Sequence, residues 1–290
     1  MRARLRDTEI YFDVEGAGLV ADGDSMRERP PAFILHGGPG GDHSGFKPGF
    51  SPLAERMQLV YFDHRGQGRS ARGDVSKYTL DENVEDMEAL RLHLGLGPVV
   101  SIGTSYGGMV AMAHAARYPA SVSHLILIVT AAHAGFNARA RQIVAQRGTA
   151  EQQRVCAQLW AGELRTEEAL LHFYEVMGPM YAVRYDPEAA KAVRKRGILA
   201  PEAINMAFAP GGFLQSFDLR PELGRITAPT LVMAGRHDWI CPVELSQEIH
   251  SLIPGSDLRI FENSSHSIRS DEPQALLDAI LGFIVYKERG

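Results

Sequence analysis

Gly103-Thr104-Ser105-Tyr106-Gly107 joins an apolar run, residues 98–102, to a helix-like stretch, residues 108–116, and leaves the chain little choice of architecture. A serine on so sharp a strand-to-helix turn adopts a strained backbone, and glycines two positions to either side remove Cβ atoms that would clash. The turn lifts the Ser105 hydroxyl into a cleft. Such a junction belongs to alternating β and α segments, which the chain supplies. Apolar runs at 32–35, 58–62, 98–102, 122–129 and 229–235 read as strands, preceded by a hairpin at 2–5 and 9–14 and followed by a last short strand at 257–261. Residues 81–94 repeat apolar Val84, Met87, Leu90 and Leu94 opposite charges, the pattern of a one-faced helix on a sheet. The order predicts an α/β fold: a mostly parallel sheet with helices on both faces and ligands bound beyond the carboxyl ends of the strands.

Between residues 131 and 219 the strand pattern stops. Helices are expected at 138–147, 151–161, 167–177, 187–195 and 201–207. The expected organisation is one catalytic core, residues 1–130 and 220–290, with a helical lid, residues 131–219, inserted before the seventh strand. A lid excludes water and shapes the substrate pocket. Its aromatic and sulfur-rich run at 172–181 reads first as lid core and second as pocket lining.

A serine hydroxyl is a poor nucleophile at neutral pH, so chemistry at Ser105 requires a histidine to take its proton and an acid to orient that histidine. In this architecture the partners follow in the order serine, acid, histidine, each in a loop after a later strand. Asp238 follows the run 229–235, and His266 ends the loop after 257–261. The chain has eleven histidines, and most have plainer explanations. His93 and His114 fall in helix-like stretches, His124 starts an apolar strand, and His172 and His250 have charged helical surroundings. His237 precedes the last strand, against the required order. The other position for the acid, just after 122–129, holds Thr130-Ala131-Ala132 and no carboxylate.

Acyl transfer also needs two backbone N–H donors aimed at the developing oxyanion. His36-Gly37-Gly38-Pro39-Gly40 ends the strand at 32–35, and bare amides in such a turn can approach a substrate closely. The oxyanion hole is assigned to the N–H groups of Gly38 and Tyr106. The stretch lacks the Lys-Ser/Thr ending of a phosphate-binding loop and the spacing of a dinucleotide fingerprint.

With these motifs in hand, the chain resembles the α/β-hydrolase superfamily and, within it, the proline iminopeptidase group of serine peptidases. The resemblance rests on His36-Gly37-Gly38-Pro39-Gly40, on Asp63-His64-Arg65-Gly66-Gln67-Gly68-Arg69-Ser70, on the Ser105 turn, and on Gly235-Arg236-His237-Asp238 with the late His266. It implies a serine hydrolase without metal or organic cofactor, acting on a small molecule or short peptide. The stretch from Asp63 to Ser70 is expected to bury an ion pair and to shape a loop near the serine. An aminopeptidase must also recognise a free ammonium, for which carboxylates are the natural device. Family peptidases place such acids in the lid and, in some members, after the catalytic aspartate. Here Trp239 follows Asp238, residues 203–208 carry no acid, and Glu175 and Glu202 read as surface residues. Trp239 and Phe208, with Phe213 and Phe217, suit an uncharged apolar group, so a carboxylesterase or amidase is the alternative. A receptor that keeps the triad but only binds is a more remote third.

The 290 residues, 45% hydrophobic, can bury a full core. A net charge of −5 without a basic run gives nucleic acid or an anionic membrane no purchase. No apolar region follows the arginine-rich start, so a soluble cytoplasmic protein is expected, with Cys156 and Cys241 as free thiols.

Overall fold

The computed structural model describes residues 1–287. Eight strands form one sheet in the order β1-β2-β6-β5-β7-β8-β9-β10. β1 (Arg2–Leu5) and β2 (Thr8–Glu15) form an antiparallel edge. β5 (Pro31–Leu35), β6 (Gln58–Phe62), β7 (Val99–Thr104), β8 (Val122–Ile128), β9 (Thr230–Gly235) and β10 (Asp257–Phe261) run parallel. β7 and β9 are buried along their whole length, which is why their sequences read as continuous apolar runs rather than as alternation.

Between β3 (Leu19–Asp22) and β4 (Ser25–Glu28) a small hairpin stands apart from the sheet, and the sequence reading missed it. Its strands are four residues each and mostly exposed, apolar Leu19 and Met26 included, so no alternation marks them. Gly23, at φ +64, makes the turn possible.

A single-turn helix, α1 (Lys47–Phe50), precedes β6. α2 (Leu80–His93) starts where the Thr79 side chain accepts the Glu82 amide and buries Val84, Met87 and Leu90. α3 (Tyr106–Arg117) follows β7 directly, and all its residues but the last are buried. Five helices then separate β8 from β9: α4 (Phe136–Arg147), α5 (Ala150–Ala161), α6 (Glu167–Tyr181), α7 (Pro187–Arg194) and α8 (Pro201–Phe208). Thr149, Thr166 and Asp186 cap three of them, and Gly162, at φ +71, ends α5 in the left-handed region. α6 continues past the expected stop at Met177 because Pro179 is exposed, where one lost backbone bond is tolerated. α9 (Val243–Leu252), α10 (Ile268–Asp271) and α11 (Pro273–Lys287) complete the chain. Among the described residues no helix is long and apolar enough to cross a membrane.

Candidate active site

Ser105 sits between β7 and α3 at φ +55, ψ −120, a conformation that L residues rarely adopt. The neighbours enforce it. A Cβ on Gly103 would fall 2.4 Å from the Gly107 carbonyl oxygen, and one on Gly107 would fall 2.4 Å from that of Leu35. The Ser105 amide donates to the Ile128 carbonyl (2.9 Å), and its own carbonyl accepts from the Thr130 hydroxyl (2.8 Å). Thr130 follows β8, where a carboxylate is absent, and holds the turn instead.

Across the strand ends, the loops after β9 and β10 are zipped together. The amides of Arg236 and His237 donate to the carbonyls of Phe261 and Ser264. A Cβ on Gly235 would meet the Ser265 carbonyl oxygen at 2.1 Å, so only glycine permits this approach. The zip brings His266 Nδ1 to Asp238 Oδ2 at 2.7 Å, while Asp238 Oδ1 accepts the amides of Ile240 (2.8 Å) and Cys241 (3.0 Å). Asp238 is buried, and because its carboxylate accepts, Nδ1 carries the ring proton and Nε2 keeps its lone pair.

The turn after β5 is set by two histidines. His64 donates its amide to His36 Nε2 (3.2 Å) and its own Nε2 bonds the His36 carbonyl (3.1 Å), while His36 Nδ1 bonds the Gly37 carbonyl (2.8 Å). Burial pushes both imidazoles down, His64 well below its ordinary value, so both stay neutral. Gly38, at φ +122, turns the chain, and the amide of Gly40, at φ +100, donates to Gln67 Oε1 (2.8 Å). A Cβ on Gly37 would stand 3.2 Å from that of Ser105, so the turn lies against the serine.

Arg65, from the stretch between Asp63 and Ser70, makes a bidentate pair with Asp86 (2.7 and 2.6 Å), the ion pair expected there. Its amide donates to Asn83 Oδ1 (3.1 Å), and Asn83 Nδ2 donates to the Tyr106 hydroxyl (2.7 Å). The Tyr106 side chain is therefore buried away from the cleft, against His64 and Phe213. Its amide opens α3 and has no intrahelical acceptor.

Ser105, Gly38, His266, Trp239 and Phe208 all line one cavity of about 580 Å³ between the strand ends and the helices α4–α8. Phe213 and Phe217 pack behind it, on Tyr106 and Phe136. Of the run at 172–181, Phe173, Tyr174, Gly178 and Tyr181 face the cavity, whereas Met177 and Met180 are packed into the core. Within that run Tyr181 meets Trp239 and His266 edge to face at 5.6 and 5.7 Å, and Leu159 and Trp160 of α5 line the cavity without any mark in the sequence. Glu175 is exposed, and Glu202 pairs with Arg72 at 2.9 Å, so neither reaches the cavity. Among the described residues no group of three or more His, Cys, Asp or Glu side chains is arranged to hold a metal ion.

The family described as alpha/beta hydrolase fold matches residues 30–273. The proline iminopeptidase PfmaB of Pestalotiopsis fici is 31% identical over 277 residues, 93% of this chain and 97% of its own. The proline iminopeptidase of Saccharolobus solfataricus is 30% identical over 260 residues, 86% of this chain and 83% of its own. Two solved structures share the fold. A proline iminopeptidase from Mycobacterium smegmatis has a TM-score of 0.78 at 22% identity, covering 99% of this chain and 97% of that one. An esterase from Exiguobacterium antarcticum has a TM-score of 0.77 at 24% identity, covering 98% of each.

Proposed function

Since the chain belongs to the α/β-hydrolase family and is proline iminopeptidase-like within it, we propose that it is a serine hydrolase cleaving a small amide or ester through an acyl-enzyme on Ser105. The observation that carries this reading is the shared cavity, into which the strained Ser105 turn and the Asp238-bonded His266 both open. Ser105 Oγ attacks the substrate carbonyl carbon while His266 Nε2 takes the hydroxyl proton. Asp238 holds the ring and stabilises the imidazolium, and the amides of Gly38 and Tyr106 hold the oxyanion. The tetrahedral adduct collapses as His266 returns the proton to the leaving nitrogen or oxygen. Water, deprotonated by His266, then releases the acyl group from Ser105. Residues 131–219 act as the lid, and a cavity of this size suits a small molecule or short peptide. The protein works in the cytoplasm, where Cys156 and Cys241, both free and buried, remain thiols.

A second reading, an esterase or amidase rather than an aminopeptidase, is favoured by the cavity wall, which leaves no carboxylate uncommitted for a substrate ammonium. Its two carboxylates are engaged: Asp42 accepts from Ser44, Arg69 and the Ile198 amide, and exposed Asp186 caps α7. The test compares wild type with Ser105→Ala on a prolyl arylamide with a free amine, its N-acylated counterpart and a short-chain ester. Ser105→Ala is expected to lower kcat at least ~10⁴-fold on every substrate that the wild type cleaves. Retention of the wild-type rate rejects Ser105 as nucleophile. Preference for the free-amine amide selects the aminopeptidase, and cleavage of the ester alone selects the esterase.

A further inference from the structure

We propose that this cavity takes a substrate bearing a carboxylate, held by the guanidinium of Arg269 with Arg184 and Arg194 beside it. The inference rests on the hydrolase reading above and names its substrate class. All three arginines line the cavity, from α10, from the link between α6 and α7, and from the end of α7.

Packing joins the elements that carry them. Asp271, two residues after Arg269, accepts the amides of Val183 (3.1 Å) and Arg184 (2.8 Å), which fastens the link against α10. The Arg269 guanidinium stacks 4.4 Å from the Phe46 ring centroid. The preceding residue, Gly45, abuts α7, since a Cβ there would lie 3.2 Å from Val193 Cγ1, next to Arg194.

Among the described residues these three are the arginines that line the cavity, and none of them has a counter-ion. Arg65, Arg69, Arg117, Arg139, Arg220 and Arg236 each meet a carboxylate within ion-pair distance. Among the described residues no carboxylate stands within that distance of the guanidinium groups of Arg184, Arg194 or Arg269. Arg269 is also half-buried, and loss of water lowers its pKa to about 10, which leaves it charged at neutral pH. A desolvated charge without a counter-ion is unfavourable even over a ring, and a planar carboxylate fits the guanidinium fork through two parallel hydrogen bonds. Because the Asp42 carboxylate is neutralised by Arg69, these arginines outnumber the remaining lining carboxylate, that of Asp186.

The experiment measures kcat/KM on two matched pairs: p-nitrophenyl hemiglutarate against its methyl-ester counterpart, and prolyl-glycine against its C-terminal amide. The first pair puts the carboxylate on the acyl side and the second on the leaving side. Wild type is expected to favour the free acid in at least one pair by about tenfold or more, the range of a charge-assisted hydrogen bond. Arg269→Met, which keeps the apolar stem, brings that ratio towards one. Should Arg269→Met fail to fold, the Arg184→Gln/Arg194→Gln double variant carries the test and is expected to lower the ratio severalfold, with high salt acting in the same direction. Equal rates on both members of both pairs overturn the proposal, as does a preference that survives every variant. A phosphate-bearing ester preferred over the hemiglutarate overturns the carboxylate assignment. Neutral-ester cleavage that disappears in Ser105→Ala preserves the hydrolase reading when the free-acid preference is missing; no cleavage of any member rejects both.

Discussion

At the strand ends, polar groups around Ser105 are tied into the sheet: Thr130 holds its carbonyl, His36 and His64 lock the glycine turn, and two amides and an imidazole share Asp238. Across the cavity, α4–α8 and the links between them present aromatic rings and the unpaired Arg184 and Arg194, while Arg269 lines it from α10. They are joined to the core by scattered bonds, such as Ala200 to the Gly40 carbonyl, Ser267 to the Tyr181 carbonyl, and Asp271 to Val183 and Arg184. The difference assigns different work to each wall. On the proposed mechanism, geometry that must hold a proton path within tenths of an ångström is anchored in the sheet, whereas the facing wall, proposed to select the substrate, can change without disturbing it.

Substitutions in either wall test that division. Asp238→Asn is expected to keep the fold but lower kcat by ~10⁴, because an amide cannot hold the imidazole in the required tautomer; a loss under tenfold would place the chemistry elsewhere. Gly107→Ala drives a Cβ against the Leu35 carbonyl, with an expected loss of about 3 kcal/mol in stability, read by denaturant midpoint. Asp271→Ala strips an acceptor from the amides of Val183, Arg184 and Ser265 and is expected to cost about 1–3 kcal/mol. It should raise KM more than it lowers kcat; equal changes in both would mean that the two walls are not separable.

The smallest expected effect is a pH slope. His36 and His64 are held neutral by burial, so the unfolded chain binds protons that the folded protein refuses. Their contribution to stability is present above the unfolded value of about 6.5 and is lost as pH falls through the depressed folded values. Each refused proton amounts to ~1.4 kcal/mol per pH unit below that point. A series of Tm values from about pH 7.5 down to 5 should fall less steeply in His64→Gln than in wild type. Parallel curves would remove His64 from the account.

Ser105 and Asp238 are legible in the sequence because each follows a buried apolar run, the plainest pattern a sequence writes, and His266 because a short strand, β10, precedes its loop. The core helices are legible for the same reason, from apolar spacing and caps. The hairpin of β3 and β4 has neither, and α6 runs through a glycine and a proline that ordinarily stop a helix. The division of residues 172–181 between cavity and core depends on what α5 and Trp239 present to them, which spacing along one helix does not encode. Arg184, Arg194 and Arg269 reach one cavity from three separate elements, so nothing in their spacing marks them as a group.

The backbone of Ser105 has a consequence for engineering. A serine at φ +55 is held against its own preference, and glycine would occupy that conformation without strain. Ser105→Gly should therefore yield a sturdier protein that catalyses nothing. A screen of variants of this chain for heat resistance alone would reward that inactive variant, so any laboratory evolution has to score survival and turnover in the same round.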